Sequence, residues 1–235
     1  LPVRSQGTAD ITLPGGARLR LDLRESLQRD YLFGLFDRHE LEIVRELLTA
    51  DFVDVGAHIG LYTVTAAHET PGRVVAIEPN PLARAQLLEN VSLNGLRNVT
   101  VVPKAVADEP GRALLHVPAT PDPSFSSLDA GRFAEGDPLD VEVTTVDAEV
   151  TRAGLHPTVV KIDVEGGEVR VVEGMKRTIT VYRPAILVEV TQESARELAR
   201  LLEGYSGFRV AGGRLDPLES GRGLFNALFV PQPPV

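Results

Sequence analysis

Apolar positions in this chain fall into short runs with two different periods. Residues 11–13 and 17–23 alternate apolar and polar around Pro14-Gly15-Gly16, which predicts a hairpin. Leu41, Val44, Leu47 and Leu48 follow helical spacing after the polar stretch 37–40. From residue 52 the rhythm changes: Phe52-Val53-Asp54-Val55 reads as a buried strand, followed by a glycine turn and an apolar helix over 59–67. Residues 74–77 and 99–102 predict two more strands, with a helix over 82–93 between them. Such alternation implies right-handed crossovers and a parallel sheet with helices on both faces. Strands are then expected over 113–117 and 141–146, flanking a stretch rich in Pro, Ser and Asp from 118 to 140. A connection longer than about 15 residues inside a compact domain is usually functional or mobile. The alternation resumes with a strand over 158–162, a helix over 169–175, a strand over 185–190 and a helix over 193–202. Residues 208–211 and 224–230 are expected to pair. The predicted organisation is a hairpin and helical preface over 1–50 and a strand–helix domain over 51–235, forming one compact unit.

Composition narrows the class. The 235 residues are 43% hydrophobic and 24% charged, as in soluble globular proteins. A chain of this length buries roughly 70–75% of its unfolded surface, so neither metal nor disulfide is needed for folding. No apolar run approaches the roughly 18 residues that span a bilayer, and no membrane partner is expected. Residues 1–22 lack the apolar stretch of a signal peptide, and Leu1 in place of Met predicts a trimmed start. The absence of cysteine removes disulfide scaffolds, thiolate nucleophiles and cysteine zinc sites. A cytoplasmic location is expected. The formal charge of −9 argues against a nucleic-acid partner. The basic residues are 21 Arg and only 3 Lys, a skew that a GC-rich genome produces by itself. It draws attention to Lys104, Lys161 and Lys176.

Candidate chemistry begins at Asp54-Val55-Gly56-Ala57-His58-Ile59-Gly60. Gly56 permits a sharp turn off the strand, and Gly60 a close approach of helix, strand and ligand. A plain strand-to-helix turn carries one glycine just as well. The spacing is not Gly-x-Gly-x-x-Gly, so the dinucleotide fingerprint is not met. Glu78 stands 22 positions past Gly56, at the tip of the second parallel strand. There, unpaired, it is placed to accept both hydroxyl protons of a ribose. Asp54 at the first strand end would repel a pyrophosphate and suit an ammonium. S-adenosylmethionine, which has ribose, adenine and an α-amino group but no phosphate, fits better than NAD.

Several segments carry a family likeness. They are Phe52 to Gly60, Ala76-Ile77-Glu78-Pro79-Asn80, Leu88 to Asn94, Val143-Thr144-Thr145-Val146-Asp147, Lys161-Ile162-Asp163-Val164-Glu165-Gly166-Gly167-Glu168 and Pro184 to Glu189. In this order the chain resembles the FkbM-type S-adenosylmethionine-dependent methyltransferases from about residue 40 to 190. The resemblance implies a Rossmann-like, seven-stranded, mostly parallel sheet whose last strand, here 224–230, is antiparallel. It implies O-methylation of a small-molecule hydroxyl, on a sugar or a polyketide-type natural product. Asp54, Gly56, His58, Gly60, Glu78, Pro79 and Asn80 are then expected to hold the cofactor, with Lys104, Ala105 and Val106 along the adenine edge. His58 stands where the family usually has Asn.

Methyl transfer needs an aligned acceptor oxygen and a group to take its proton. Lys161, Asp163 and Glu165 are expected on one strand face at the end of the fourth parallel strand and are the catalytic candidates. A charged pair inside an apolar strand is costly unless used or fully paired. Glu168 reads as a helix-capping acid. Glu189, ending the next strand, and Ser126 and Ser127, in the long middle stretch, are the acceptor-binding candidates, the serines as part of a lid. No His-x-x-x-His pair or acid cluster makes a convincing metal site and none is expected; Asp163, Glu165 and Glu189 are the acids that would hold a divalent cation. Three rival readings exist: an NAD-dependent oxidoreductase, a nucleic-acid methyltransferase and a non-catalytic partner domain. The glycine spacing and Asp54 oppose the first, the charge and the lack of Trp the second, and the intact Asp54, Glu78 and Asp163 the third. The oligomeric state is not legible in the sequence.

Overall fold

A computed structural model describes residues 7–35, 37–117 and 138–233. The preface is the hairpin β1 (Thr8–Thr12) and β2 (Arg18–Asp22) with helices α1 (Ser26–Leu32) and α2 (Arg38–Leu47). There follow β3 (Asp51–Val55), α3 (Leu61–Glu69), β4 (Val74–Ile77), α4 (Pro81–Leu93) and β5 (Val99–Val102). The middle holds β6 (Ala105–Val106), β7 (Gly111–Leu115), β8 (Leu139–Thr144) and α5 (Val146–Ala153). Next come β9 (Pro157–Ile162), α6 (Glu168–Glu173), α7 (Lys176–Tyr182), β10 (Ala185–Val190) and α8 (Gln192–Leu201). The chain closes with β11 (Tyr205–Ala211), β12 (Arg214–Pro217) and β13 (Phe225–Pro231).

The main sheet runs β12-β11-β13-β10-β9-β3-β4-β5. The ladders from β10 through β9, β3 and β4 to β5 are parallel, and β13 is antiparallel to both β10 and β11. The expected seven-stranded sheet with an antiparallel last strand is therefore present. It carries one unexpected edge strand, β12, antiparallel to β11. The middle strands leave this sheet: β7 and β8 join β6 in a separate three-stranded sheet.

Central strands such as β3 and β4 are buried on both faces, so they read as apolar runs rather than alternating ones. Pleating sends Val53, Val55, Val160 and Ile162 to one face, under Val150, Val171 and Leu198 of α5, α6 and α8. Phe52, Val159 and Leu187 point the other way, against Leu41 of α2, Val64 of α3 and Leu19 and Leu21 of the hairpin. The preface thus shares an apolar cluster with the sheet.

Three helices were not predicted. Residues 141–146 read as one strand, but β8 stops at Thr144 because Thr145 adopts extended backbone and its hydroxyl accepts the Ala148 N–H at 3.1 Å, capping α5. Helix α7 is rich in β-branched Thr, Ile and Val, a composition that disfavours helix in isolation. Helix α1 is seven residues long, with Gln28 its one fully buried side chain, too little for a periodic signal. No helix among the described residues is long and apolar enough to cross a membrane.

Candidate functional site

Chain order in the main sheet reverses between β3 and β9, whose ends are in register at Val55 and Ile162. In an open α/β sheet ligands gather at such a switch point, outside the carboxyl ends of the strands. A cleft of about 430 Å³ lies there. Its wall takes Asp54, Gly56 and His58 from the first glycine turn, and Glu78, Pro79 and Asn80 from the end of β4. Lys104, Ala105 and Val106 come from the β5–β6 segment, and Lys161, Asp163, Glu165 and Glu189 from the ends of β9 and β10. Of the residues expected to bind cofactor, Gly60 alone does not line the cleft. Ser126 and Ser127 lie outside the described residues.

The glycine turn is built by close approach. Gly56 has φ +78°, and a Cβ there would stand 1.7 Å from the Asp163 carbonyl oxygen. Asp163 in turn donates its N–H to the Val55 carbonyl at 2.9 Å, strapping the two strand ends together. Gly60 serves the turn rather than the ligand: it is the left-handed N-cap of α3, and a Cβ on it would meet Leu87 Cδ1 at 2.5 Å. His58 has φ +49°, a region that a histidine enters only at a cost. This conformation aims its backbone N–H at Glu78 Oε2, 2.8 Å away. The same position tolerates Asn well, since Asn is enriched at left-handed φ.

Glu78 departs from expectation in one respect. It is not unpaired: Oε2 accepts from His58 and Oε1 from the Asn80 N–H, also at 2.8 Å. A carboxylate has about four acceptor sites, so both oxygens keep capacity for a ligand's hydroxyls. Burial pushes the Glu78 carboxyl up to about 7, against the pull of those two N–H groups. Asn80 then caps α4, its side chain accepting the Leu82 N–H at 3.0 Å, with Pro81 in the first helical position. Asp54 is buried beside this wall; the Thr63 hydroxyl donates to its Oδ2 at 2.5 Å, and burial lifts its carboxyl to about 6. At the β5–β6 wall the Lys104 ammonium pairs with Glu142 Oε2 at 3.0 Å.

The opposite half of the cleft is charged. Lys161 is only 1% exposed, and its Nζ stands 3.2 Å from Asp163 Oδ2. Burial would lower its pKa, but Asp163, Asp37, Asp54 and Glu189 together raise it. The expectation that Lys161, Asp163 and Glu165 share one strand face fails in detail, because β9 ends at Ile162 and Glu165 turns at φ +57°. Tertiary folding nevertheless brings Asp163, Glu165 and Glu189 together, with carboxylate oxygens within 4.8 Å of one another. Burial first, and the nearby Asp163 second, push the Glu189 carboxyl well above the ordinary range. Glu168 is the first residue of α6 and accepts the Gly166 N–H at 2.8 Å, but it does not cap the helix as expected: the N-cap is Gly167, with no side-chain cap bond.

Sequence reasoning missed several lining residues of the cleft. Tyr31, Leu35 and Asp37 reach the cleft from the preface, and Tyr62 from the first turn of α3. The Tyr62 hydroxyl donates to Asp37 Oδ2 at 2.8 Å. Tyr62 follows the glycine motif directly, so its place on the helix was a usable signal. For the preface residues no motif exists.

Comparisons with known proteins give the family and the fold. The family described as "Methyltransferase FkbM domain" matches residues 54–210, well over half of the chain. Among solved structures, the FkbM methyltransferase of Methylobacillus flagellatus KT aligns with a TM-score of 0.52 at 17% identity, over 87% of this chain and 53% of that one. The chain thus spans about half the length of that relative. TYW2 of M. jannaschii, solved in complex with AdoMet, gives 0.51 at 16% identity, over 96% and 85% of the two chains. An rRNA methylase of Streptococcus thermophilus gives 0.52 at 11% identity, over 83% and 96%. At such identities the likeness is one of fold. No curated protein matches. S-adenosylmethionine fits the residues present: Glu78, held by two backbone donors, faces the cleft with acceptor capacity in hand, and Gly56 lets the backbone pass where any side chain would collide. The chain belongs to the FkbM family of S-adenosylmethionine-dependent methyltransferases.

Proposed function

We propose that this chain methylates a hydroxyl of a small molecule, of the sugar or polyketide type. The observation that carries this reading is the Lys161–Asp163 pair, opening at the switch point into the same cleft as Glu78. Bound there, S-adenosylmethionine supplies a methyl group on a sulfonium, which leaves as a neutral thioether. The chain's part is to hold and to move a proton. Glu78 would hold the ribose and Asp54 the α-ammonium, and residues 104–106 would line the adenine.

At the other end, an alcohol loses its proton only as the new C–O bond forms, so a base must sit beside the oxygen. Asp163 takes that proton, and the Lys161 ammonium at 3.2 Å steadies the carboxylate. Glu165 and Glu189 orient the remaining hydroxyls of the acceptor, Glu189 as a hydrogen-bond donor while its raised pKa keeps it protonated. The carboxylates of this half and the net charge of −9 disfavour a phosphate-bearing acceptor such as RNA.

The test is transfer of isotopically labelled methyl to a panel of sugars, macrolide alcohols and RNA. Label in a small-molecule hydroxyl supports the reading; label in RNA alone overturns it. With the acceptor so found, Asp163→Asn should keep S-adenosylhomocysteine affinity within a few-fold while turnover falls about 10²-fold or more. Turnover close to wild type would remove Asp163 as the proton acceptor.

A further inference from the structure

Tyr62 lies against Lys161, a fully buried charge of the cleft. An ammonium has three N–H donors, and at Lys161 the oxygens within reach are Asp163 Oδ2 at 3.2 Å and, at the limit of a hydrogen bond, the Ile162 carbonyl at 3.5 Å. The Tyr62 ring centroid stands 5.0 Å from the same nitrogen. Acids on four elements attract this ammonium when ionised: Asp163 after β9, Asp37 before α2, Asp54 on β3 and, above its raised pKa, Glu189 on β10. Charge alone does not choose among them. A π-face on one side of the nitrogen does, since it attracts the cation and occupies the space through which the head would swing.

The ring itself is held. Its hydroxyl donates to Asp37, and burial together with that carboxylate keeps the phenol protonated far above its usual range. We infer that Tyr62 is a positioning residue: its ring face holds the Lys161 ammonium beside Asp163, and Asp37 fixes the ring. The preface, which supplies Asp37, thereby sets the geometry of the proton-accepting pair. The importance of this pair rests on the function proposed above; the positioning itself can be read without an acceptor.

The chain has only three lysines, so lysine enriched with ¹³C at Cε gives three signals, from Lys104, Lys161 and Lys176. Loss of one signal in Lys161→Arg identifies the relevant one. In the wild type that signal should be displaced upfield by the ring and should titrate above the roughly 10.4 of free lysine. Tyr62→Phe keeps the π-face but loses the bond to Asp37, so it should reduce the displacement without abolishing it. Tyr62→Leu should lose the displacement and lower the midpoint by about one pH unit, a roughly tenfold loss of proton affinity. A shift in melting temperature with S-adenosylhomocysteine reports that each variant is folded. An undisplaced Lys161 signal in the wild type overturns the inference whether or not Tyr62→Leu folds; so does a displacement that survives Tyr62→Leu, and a displacement unchanged in Tyr62→Phe overturns the part given to Asp37. If Lys161 behaves as described but Asp163→Asn retains turnover, the functional reading falls and the positioning stands.

Discussion

Glu78 shows how one side chain can be both paired and available. Its two backbone donors fix the carboxylate's direction, and burial makes its charge expensive, hence the rise to about 7. A ligand that donates hydroxyl protons favours the ionised form, so binding releases protons. Affinity for S-adenosylhomocysteine should therefore be full above about pH 7 and decline as the pH falls through that value. Asp54, raised to about 6, adds the same sign lower down through the ligand's ammonium. Glu78→Ala should weaken binding by roughly 1.5–3 kcal/mol, the scale of charge-assisted hydrogen bonds. Glu78→Gln should flatten the upper part of the pH dependence in calorimetry. An unchanged pH profile in Glu78→Gln would take Glu78 off the ribose.

The preface hairpin is attached to α4 by two asparagines that act as a surrogate strand. Asn90 accepts the Arg20 N–H at 2.7 Å and donates to the Ile59 carbonyl at 2.9 Å, while Asn94 accepts the Arg18 N–H at 2.7 Å and returns a bond to the Arg18 carbonyl at 2.6 Å. One face of α4 thereby pairs with β2 as an edge strand would. Asn90 is fully buried, so Asn90→Ala would leave backbone groups of both β2 and the glycine turn unpaired in the interior. The expected loss is about 2–3 kcal/mol, or roughly 5–10 °C in melting temperature for a chain of this size. Asn94→Ala, nearer solvent, should cost less than half as much. Equal losses would mean that water replaces the buried partners. Since Asp37 follows this hairpin, the same substitution should disturb the Lys161 signal more than Asn94→Ala does.

Across the whole molecule, folding gathers acids whose charge is unwelcome. Asp54, Glu78 and Glu189 all have raised folded pKa values, against ordinary values near 4 when unfolded. Between about pH 4 and 8 the folded chain binds more protons than the unfolded one, so stability falls as the pH rises through this window. The contribution of these groups is greatest below about pH 4 and is gone above their folded values. Asp22, Asp108 and Glu142 are lowered by Arg24, Arg170 and Lys104 and act with the opposite sign, but below the ordinary carboxylate range. The ligand-free protein should therefore melt highest near about pH 4–5, where the lowered carboxylates are already ionised and the raised ones still protonated, and lower at pH 8. The stabilisation by S-adenosylhomocysteine should grow over the same interval. A melting temperature that climbs toward pH 8 without ligand would contradict this account.

The strand–helix alternation, the turn at Gly56, the carboxylate at Glu78 and the Lys161-to-Glu168 block were legible because each is a contiguous piece of chain. Local periodicity and turn chemistry encode such a piece before anything packs. Periodicity gave residues 224–230 only as a strand pairing with 208–211; that it is the antiparallel last strand was what the family resemblance implied. The separate β6–β8–β7 sheet, the edge strand β12 and the helix α5 were not legible, since apolar runs of that length do not state which neighbour will pair with them. Nor was the charged half of the cleft. Tyr31 and Asp37 stand more than a hundred residues from Asp163, and nothing in their own surroundings marks them. They reach it because the hairpin buries its apolar face on the far side of the same sheet, carrying the following helices to the strand ends. Side chains from five separate segments then share one low-dielectric space, and the charge each carries depends on the others. That mutual dependence exists only once the segments have met.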